Sequence, residues 1–180
     1  MIIEDTRQQA GKHDNIERWM RAHGVEFSPR ARALEFGDYV SEDADGNPLS
    51  NVAVDTKKDV QELAMDVGRD HARFVRECER ARAAGYRLVV LVEEHADYET
   101  DRGKLHRWLG IACRRCRRCR PLAGDKCVRY KRRPMTGRQV AAICERMTER
   151  HGVTFAFCSR RDTAKIICEL LGVRYDDERP

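Results

Sequence analysis

The stretch of sequence that decides the fold runs from residue 52 to residue 92 and is VAVDTKKDVQELAMDVGRDHARFVRECERARAAGYRLVVLV. Its first residues alternate between the two faces of a strand, with Val52 and Val54 on the same face. Apolar residues at helical spacing from about Lys58 to Ala84 predict one long helix. The run Leu88 to Val92 is entirely apolar, which is typical of a central strand covered on both faces. Strand, helix and strand in this order predict a parallel crossover and an α/β fold.

Two carboxylates and a lysine form the candidate site of this pattern. Asp55 and Lys57 lie side by side on the strand face opposite Val54, and Asp38 follows Gly37 in the preceding segment. Carboxylate oxygens are the ligands that Mg²⁺ and Mn²⁺ prefer, and a lysine supplies positive charge for an attacking water or a phosphate. Taken singly, Asp38 has the simpler interpretation of a turn residue and Asp55 that of a helix cap. Together they favour a site that hydrolyses a phosphodiester.

Four short motifs occur in a fixed order along the first half of the chain. They are Asp5-Thr6-Arg7, Gly37-Asp38, Asp55-Thr56-Lys57 and Gly68-Arg69. In this order they resemble the nuclease domain of the XPF family, which belongs to the restriction-endonuclease-like group with PD-(D/E)xK sites. The resemblance extends from residue 1 to about residue 93 and is greatest to the small phage-type or prophage-type members that lack a helicase. It implies a single nuclease domain over residues 1–180, with a mixed sheet flanked by helices.

The resemblance also implies roles for individual residues. It implies a Mg²⁺ or Mn²⁺ site at Asp38 and Asp55, with Lys57 as the catalytic lysine. Asp5 matches the acid at the end of the family's first strand and is implied as a further catalytic residue, which binds the metal directly or through water. The chain has Thr56 where the family has an arginine, and an aspartate where the family has a glutamate at the preceding position. The arginines assigned to DNA contacts in this half are Arg7, Arg69 and, near the place of the family's glutamine, Arg73.

A basic, cysteine-rich insert from residue 102 to residue 133 interrupts the α/β pattern. It carries 13 lysines and arginines and one acid, a net charge of +12 in a chain whose total is +5. Such an asymmetry favours a nucleic-acid partner, and the alternative is a solvated loop. The arginines of the insert that are assigned to DNA contacts are Arg114, Arg115, Arg117 and Arg118.

Four cysteines of the insert are candidate ligands of a structural Zn²⁺ ion. They are Cys113, Cys116, Cys119 and Cys127. Cysteine is the residue type that tetrahedral zinc sites use, but the spacing C-x2-C-x2-C-x7-C is not that of a standard ribbon. His106 in place of one cysteine, thiols in a flexible basic loop, and an iron–sulfur cluster are the alternatives at this point. The remaining four cysteines fall on apolar helix faces or at a strand end and are predicted to be buried.

The sequence as a whole indicates a DNA-processing enzyme of the cytoplasm. No apolar run reaches the ~18 residues of a membrane helix, and no signal segment is visible, so we expect a bacterial or phage-infected cell's cytoplasm and no membrane partner. The predicted function is Mg²⁺-dependent hydrolysis of DNA, which the family resemblance narrows to branched or otherwise structured DNA. The alternative is a catalytically weak or inactive nuclease-like module that binds DNA through its basic, zinc-type insert. Members of the family often pair, so a homodimer is a further expectation.

Overall fold

One mixed sheet organises the part of the chain that the structure, a computed structural model, describes: residues 1–7, 13–94, 102–116, 118–129 and 134–177. The sheet order is β2-β1-β3-β4-β5-β6. β1 pairs with β2, β4 with β5 and β5 with β6 in parallel, whereas β3 is antiparallel to both β1 and β4. The strands are β1 (Ile2–Asp5), β2 (Phe27–Arg32), β3 (Tyr39–Ser41), β4 (Val52–Lys57), β5 (Arg87–Val92) and β6 (Thr154–Phe157). The predicted α/β fold with a mixed sheet and a parallel crossover is confirmed.

Helices cover both faces of this sheet. They are α1 (Asp14–Ala22), α2 (Val60–Asp66), α3 (His71–Ala83), α4 (Arg102–His106), α5 (Ile111–Cys116), α6 (Gly137–His151) and α7 (Thr163–Leu171). One face of the sheet packs against α2, α3 and α6, and the other packs against α1 and α7. Strand alternation explains the division, because Ala53 of β4 belongs to the first core and its neighbour Val54 to the second. Within the described ranges, no helix is long and apolar enough to cross a membrane.

The prediction of a single long helix over residues 58–84 is wrong. The chain forms α2 and α3, separated by a turn at residues 67–70. A Cβ on Gly68 would lie 2.7 Å from the carbonyl oxygen of Ala64 and 2.8 Å from Met135 Cε, so the turn packs too closely for a side chain there. The apolar spacing continues across the turn because both helices cover the same face of the sheet. Arg69, which was predicted on a helix, therefore lies in the turn.

The beginning of the predicted insert packs as part of the domain. Leu105 of α4 and Trp108 are buried in the core that α6 also covers. The approach is close, since a Cβ on Gly137 would lie 1.7 Å from the carbonyl oxygen of Leu105. By contrast, no described residue from 111 to 129 is buried. We call residues 111–129 the cysteine segment.

The four cysteines outside that segment are core residues, as the sequence predicted. Each of them is at most 8% exposed, and they are Cys78, Cys144, Cys158 and Cys168. Burial raises the pKa of Cys78, Cys144 and Cys168 to about 12. These three groups are therefore thiols at neutral pH, which makes them inert packing residues.

Candidate active site

Three carboxylates meet at one edge of the sheet because neighbouring strands run in opposite directions there. Asp5 ends β1, Asp38 precedes β3 and Asp55 lies near the end of β4. Since β3 is antiparallel to both other strands, its beginning lies beside their ends. The N–H of Asp5 donates to the carbonyl oxygen of Asp38 at 2.9 Å, and the N–H of Asp38 donates to that of Val54 at 2.7 Å. The structure thus brings together the three acids that the sequence analysis singled out.

The turn that presents Asp38 requires a glycine. Gly37 has a φ of +68°, a conformation that L side chains rarely adopt. A Cβ there would also lie 3.1 Å from the carbonyl oxygen of Val54 on β4. The N–H of Gly37 donates to Glu77 Oε1 of α3 at 3.0 Å. This hydrogen bond places a fourth carboxylate, Glu77, at the edge.

Lys57 is held between two carboxylates at this edge. Its Nζ lies 2.7 Å from Asp55 Oδ2 and 2.8 Å from Asp66 Oδ2, and its side chain is 11% exposed. Asp66 Oδ1 in turn accepts a hydrogen bond from Arg73 Nη2 at 3.1 Å. Burial acts to lower the pKa of Lys57, but the carboxylates of Asp55 and Asp66 outweigh it and raise that pKa above its usual range. Lys57 is therefore a source of positive charge and hydrogen bonds and not a base.

Asp55 contributes a deeply buried carboxylate oxygen to this edge. The residue is 4% exposed, and its Oδ2 lies 2.7 Å from Lys57 Nζ but accepts no further hydrogen bond from the described residues. Burial raises the pKa of Asp55; Lys57 acts to lower it, and the neighbouring carboxylates of Asp38 and Glu77 raise it further. A buried carboxylate among like charges is costly unless a cation accompanies it. Among the described residues, Lys57 is the one that supplies such a cation in direct contact with Asp55.

The donor set at this edge fits a hard divalent cation. Asp38 and Asp55 offer carboxylate oxygens, and Mg²⁺ is commonly held by one or two carboxylates while water and phosphate fill its other positions. Among the residues that the structure describes, no three His, Cys, Asp or Glu side chains already surround a common point. The carboxylate pair is therefore what the chain itself contributes, and the burial of Asp55 near the carboxylates of Asp38 and Glu77 is the observation that favours a cation here.

A buried hydrogen-bond network holds Asp38 from behind. Asp38 Oδ2 accepts hydrogen bonds from the backbone N–H of Thr56 at 2.8 Å and from its hydroxyl at 2.6 Å. Thr56 Oγ1 also lies 3.4 Å from His13 Nε2, and His13 Nδ1 lies 3.0 Å from Glu4 Oε1. The hydroxyl of Tyr39 donates to the same Glu4 oxygen at 3.0 Å. All five residues are buried, so the network fixes the direction of the Asp38 carboxylate.

Thr56→Val is expected to weaken the binding of Mg²⁺ at this edge by roughly 10–100-fold. The reason is that valine keeps the shape of threonine but removes the 2.6 Å hydrogen bond to Asp38. Thr56→Ser is the matched control, because it retains the hydroxyl and should retain most of the Mg²⁺ affinity. Calorimetric titrations with Mg²⁺ measure both variants. A Thr56→Val protein with the wild-type Mg²⁺ affinity would rule out this positioning role.

Asp5 is engaged in a different way from Asp38 and Asp55. Its Oδ1 accepts hydrogen bonds from the backbone N–H and the Nε of Arg7, at 2.6 and 3.0 Å. Its Oδ2 accepts from the N–H of Leu34 at 3.0 Å. Burial acts to raise the pKa of Asp5, but the hydrogen bonds from Arg7 and Leu34 outweigh it and lower that pKa. A metal bound directly to Asp5 has to displace one of these donors, so contact through water costs less.

The predicted DNA-contacting arginines occupy three environments. Arg69 is exposed in the turn before α3 and lies 3.3 Å from Asp70. Arg73 and Arg7 pair with Asp66 and Asp5 at the active-site edge, with side chains 67% and 65% exposed. The cysteine segment starts beside α2, where Gln61 Oε1 accepts from the N–H of Ile111 at 3.3 Å. In that segment, Arg114, Arg115 and Arg118 are exposed, and Arg117 lies outside the described residues.

Sequence reasoning missed Glu4, His13, Asp66 and Glu77. Glu4, His13 and Glu77 each come from an element distant in sequence from the motif that they contact, so no local spacing indicates them. One signal was available for Asp66, which lies three residues after Leu63 on α2 and is buried with it. An acid at helical spacing on an apolar face is a candidate partner for a buried cation.

The fold has counterparts among solved structures, whereas no protein-family model and no curated protein sequence matches the chain. The structure of XPF from Aeropyrum pernix superposes with a TM-score of 0.56 and 17% sequence identity. The match covers 96% of this chain and 65% of the XPF chain. XPF from Aeropyrum pernix in complex with DNA superposes with a TM-score of 0.54 and 17% sequence identity. That match covers 95% of this chain and 62% of the XPF chain. This chain thus spans a little under two thirds of the length of either structure. The protein therefore has the mixed α/β, nuclease-like fold of XPF.

Proposed function

We propose that the protein is a DNA endonuclease that uses Mg²⁺ or Mn²⁺ to hydrolyse phosphodiester bonds in branched or otherwise structured DNA. The observation that carries the proposal is the buried Asp55 carboxylate, which lies near the carboxylates of Asp38 and Glu77 and 2.7 Å from the charged Lys57. DNA as the ligand is supported by the likeness to an XPF structure in complex with DNA. The exposed arginines of the cysteine segment also support it. The preference for branched DNA rests on the XPF resemblance.

Each side chain at the edge has a separate part in the proposed reaction. Asp38 and Asp55 would hold the cation, which, when bound, lowers the pKa of a water and polarises the scissile phosphate. Lys57 has three N–H donors, of which two face Asp55 and Asp66, so the third can donate to the phosphate or to the attacking water. Because Lys57 is charged, it stabilises negative charge on the phosphate and does not accept the proton of the water.

Asp66 and Arg73 act on the proposed reaction through Lys57. Asp66 fixes the position of Lys57 Nζ from the side opposite Asp55. Arg73 binds the other oxygen of Asp66 and thereby limits the rotation of that carboxylate. A lysine whose ammonium is fixed before the substrate arrives loses less freedom when it contacts the phosphate. Both residues are therefore positioning residues in this proposal.

The proposal is tested by cleavage of a panel of labelled nucleic acids. Flap, fork, four-way junction and linear duplex DNA, with an RNA hairpin of matched sequence, are incubated with the protein and Mg²⁺ or Mn²⁺. We expect nicking of the branched DNA in preference to linear DNA, and none in the presence of a chelator. Equal cleavage of all DNA would contradict the preference for branched DNA. Binding without cleavage of any member would contradict the enzyme and support the nuclease-like binding module in its place.

Replacement of Arg114, Arg115 and Arg118 by glutamine is expected to weaken DNA binding alike for all sequences. The slope of log affinity against log salt should become shallower by about 2–3, because each arginine–phosphate contact contributes about 0.9 to it. The cleavage rate at saturating DNA should stay unchanged, since the segment is not placed in the chemistry. The matched control replaces three exposed arginines elsewhere, Arg18, Arg21 and Arg82. An unchanged salt slope would remove the cysteine segment from the DNA interface.

Three accompanying expectations are also proposals that rest on the family resemblance. They are a homodimer, the cytoplasm of a bacterial or phage-infected cell, and membership of the phage-type branch with a PD-(D/E)xK site. Sedimentation at several protein concentrations measures the first. A monomer throughout the micromolar range would contradict the homodimer without bearing on the chemistry of the edge.

A further inference from the structure

The cysteine segment lacks the apolar packing that holds the rest of the described chain. No described residue in it is buried, and its large apolar side chains Ile111, Leu122 and Val128 are 41%, 44% and 69% exposed. Its helix α5 has six residues, whereas isolated helices need roughly 12–15 residues to be even marginally stable in water. A defined structure in this segment therefore needs a stabilising contact other than a hydrophobic core.

The chain reversal within the segment is specific and brings distant cysteines together. A short 3₁₀ helix, Pro121–Ala123, ends at Gly124, which has a φ of +96°. The N–H of Arg120 donates to Asp125 Oδ2 at 2.8 Å, and the N–H of Asp125 donates to the carbonyl oxygen of Arg120 at 3.3 Å. Since the chain turns back here, Cys127 returns to the face of α5 that carries Cys113 and Cys116.

All four cysteines of the segment line one small cavity. Its volume of about 10 Å³ is room for a single water-sized occupant, and Ala112, Arg118 and Pro121 complete its wall. The cysteines are Cys113, Cys116, Cys119 and Cys127, and none of them forms a disulfide. Cys113 and Cys116 are one helical turn apart, so they share a face of α5. These half-exposed cysteines differ from the four buried in the core.

We propose that the four cysteines bind one structural Zn²⁺ ion in this cavity. Each thiol releases its proton to solvent, and four thiolate sulfurs coordinate the ion tetrahedrally at about 2.3 Å. In the part of the chain described, no three such side chains already stand at ligand distance from one point. The ion therefore draws the thiolates inwards and closes the segment around itself, as in small metal-dependent folds.

The charges around the cavity suit this ion. Four thiolates and one Zn²⁺ carry a net charge of −2, and the neighbouring Arg114, Arg115 and Arg118 are positive. Zinc would hold these arginines in one orientation on a closed loop, where they can contact phosphate oxygens. The site thus adds to the proposed function a structural role for the segment, but it does not depend on cleavage.

Metal content of the full-length protein tests the proposal. The protein is purified under reducing conditions, incubated with Zn²⁺, freed of unbound ion and analysed by mass spectrometry. We expect one Zn²⁺ per chain, and at least a tenfold loss of bound zinc in Cys127→Ser. The matched control Cys168→Ala removes a core cysteine and should keep the full zinc content. A wild-type protein that holds less than about 0.1 Zn²⁺ per chain would overturn the proposal, since a ligand variant is expected to hold no more than that. Iron with visible absorption would overturn it in favour of a cluster.

A second measurement keeps the test decisive if Cys127→Ser does not fold. Wild-type protein is stripped with a chelator and titrated with Co²⁺, whose tetrahedral thiolate complex absorbs visible light. We expect the absorption to saturate at one Co²⁺ per chain and to disappear when Zn²⁺ is added. Absorption that never develops would contradict a four-cysteine site. DNA cleavage is assayed separately, so failure of the zinc site is distinguishable from failure of the nuclease.

Discussion

Asp55→Asn is expected to abolish metal-dependent cleavage and, at the same time, to stabilise the metal-free protein. Cleavage should fall by roughly 10³-fold or more, because asparagine is a poor ligand for a hard cation. The free energy of unfolding should rise by about 1–3 kcal/mol, because a buried carboxylate beside Asp38 and Glu77 is replaced by a neutral isostere. Lys57 keeps Asp66 as its partner in the variant.

The stability that Asp55→Asn gains should depend on pH, which gives this prediction a second measurement. Burial raises the pKa of Asp55 in the folded protein above its value of about 4 in the unfolded chain. The stability that protonated Asp55 contributes is therefore fully present below pH ~4, and it is lost as the pH rises through the folded-state pKa. In a chelator, the stability difference between variant and wild type should therefore be small in acid and grow with pH. Thermal melts at several pH values measure it, with exposed Asp45→Asn as the matched control. A variant less stable than wild type at neutral pH would contradict the account.

Lys57→Met is expected to abolish cleavage and to destabilise the protein by about 3–5 kcal/mol. Its effect on stability is thus opposite to that of Asp55→Asn. Asp55 and Asp66 are both buried, and Lys57 lies within 2.8 Å of each, so its loss leaves two carboxylates without their shared cation. Denaturant unfolding measures the change. The neighbouring Lys58→Met is the matched control, because Lys58 is exposed and should tolerate the exchange within about 0.5 kcal/mol.

A double variant separates the structural effect of Lys57 from its chemical effect. Lys57→Met combined with Asp66→Asn removes the cation together with one of its carboxylates, so part of the lost stability should return. Cleavage should remain absent, because the ammonium that donates to the phosphate or to the attacking water in the proposed reaction is still missing. Recovery of cleavage together with stability would mean that Lys57 acts through folding alone.

The sequence predicted the sheet because its strands follow from local patterns, whereas the grouping of Asp5, Asp38 and Asp55 was implied by the family resemblance. The alternation of Val52 and Val54 places Asp55 and Lys57 on one face of β4, and the apolar run of β5 indicates a central strand. The break between α2 and α3 was not predictable in this way. It depends on how closely Gly68 approaches Ala64 and Met135, which is a tertiary contact.

The support of the site was less predictable than its motifs. The position of Thr56 looked like the loss of a family arginine, but in the structure its hydroxyl binds Asp38. His13, at the start of α1, reaches Thr56 and Glu4 because α1 packs on the sheet. Asp66 similarly reaches Lys57 only because α2 folds back over β4. Pairings of this kind have no period in the sequence, so only the three-dimensional arrangement shows them.

The most direct test of the central claim, that the edge formed by Asp38, Asp55 and Lys57 cuts DNA, is a single-turnover cleavage rate on labelled flap DNA with Mn²⁺. Wild type, Asp55→Asn and Asp45→Asn are compared after melting curves have shown that each is folded. We predict metal-dependent nicking by wild type and Asp45→Asn, and none by Asp55→Asn. Equal rates for all three proteins, or no cleavage by wild type with Mn²⁺, would contradict the account.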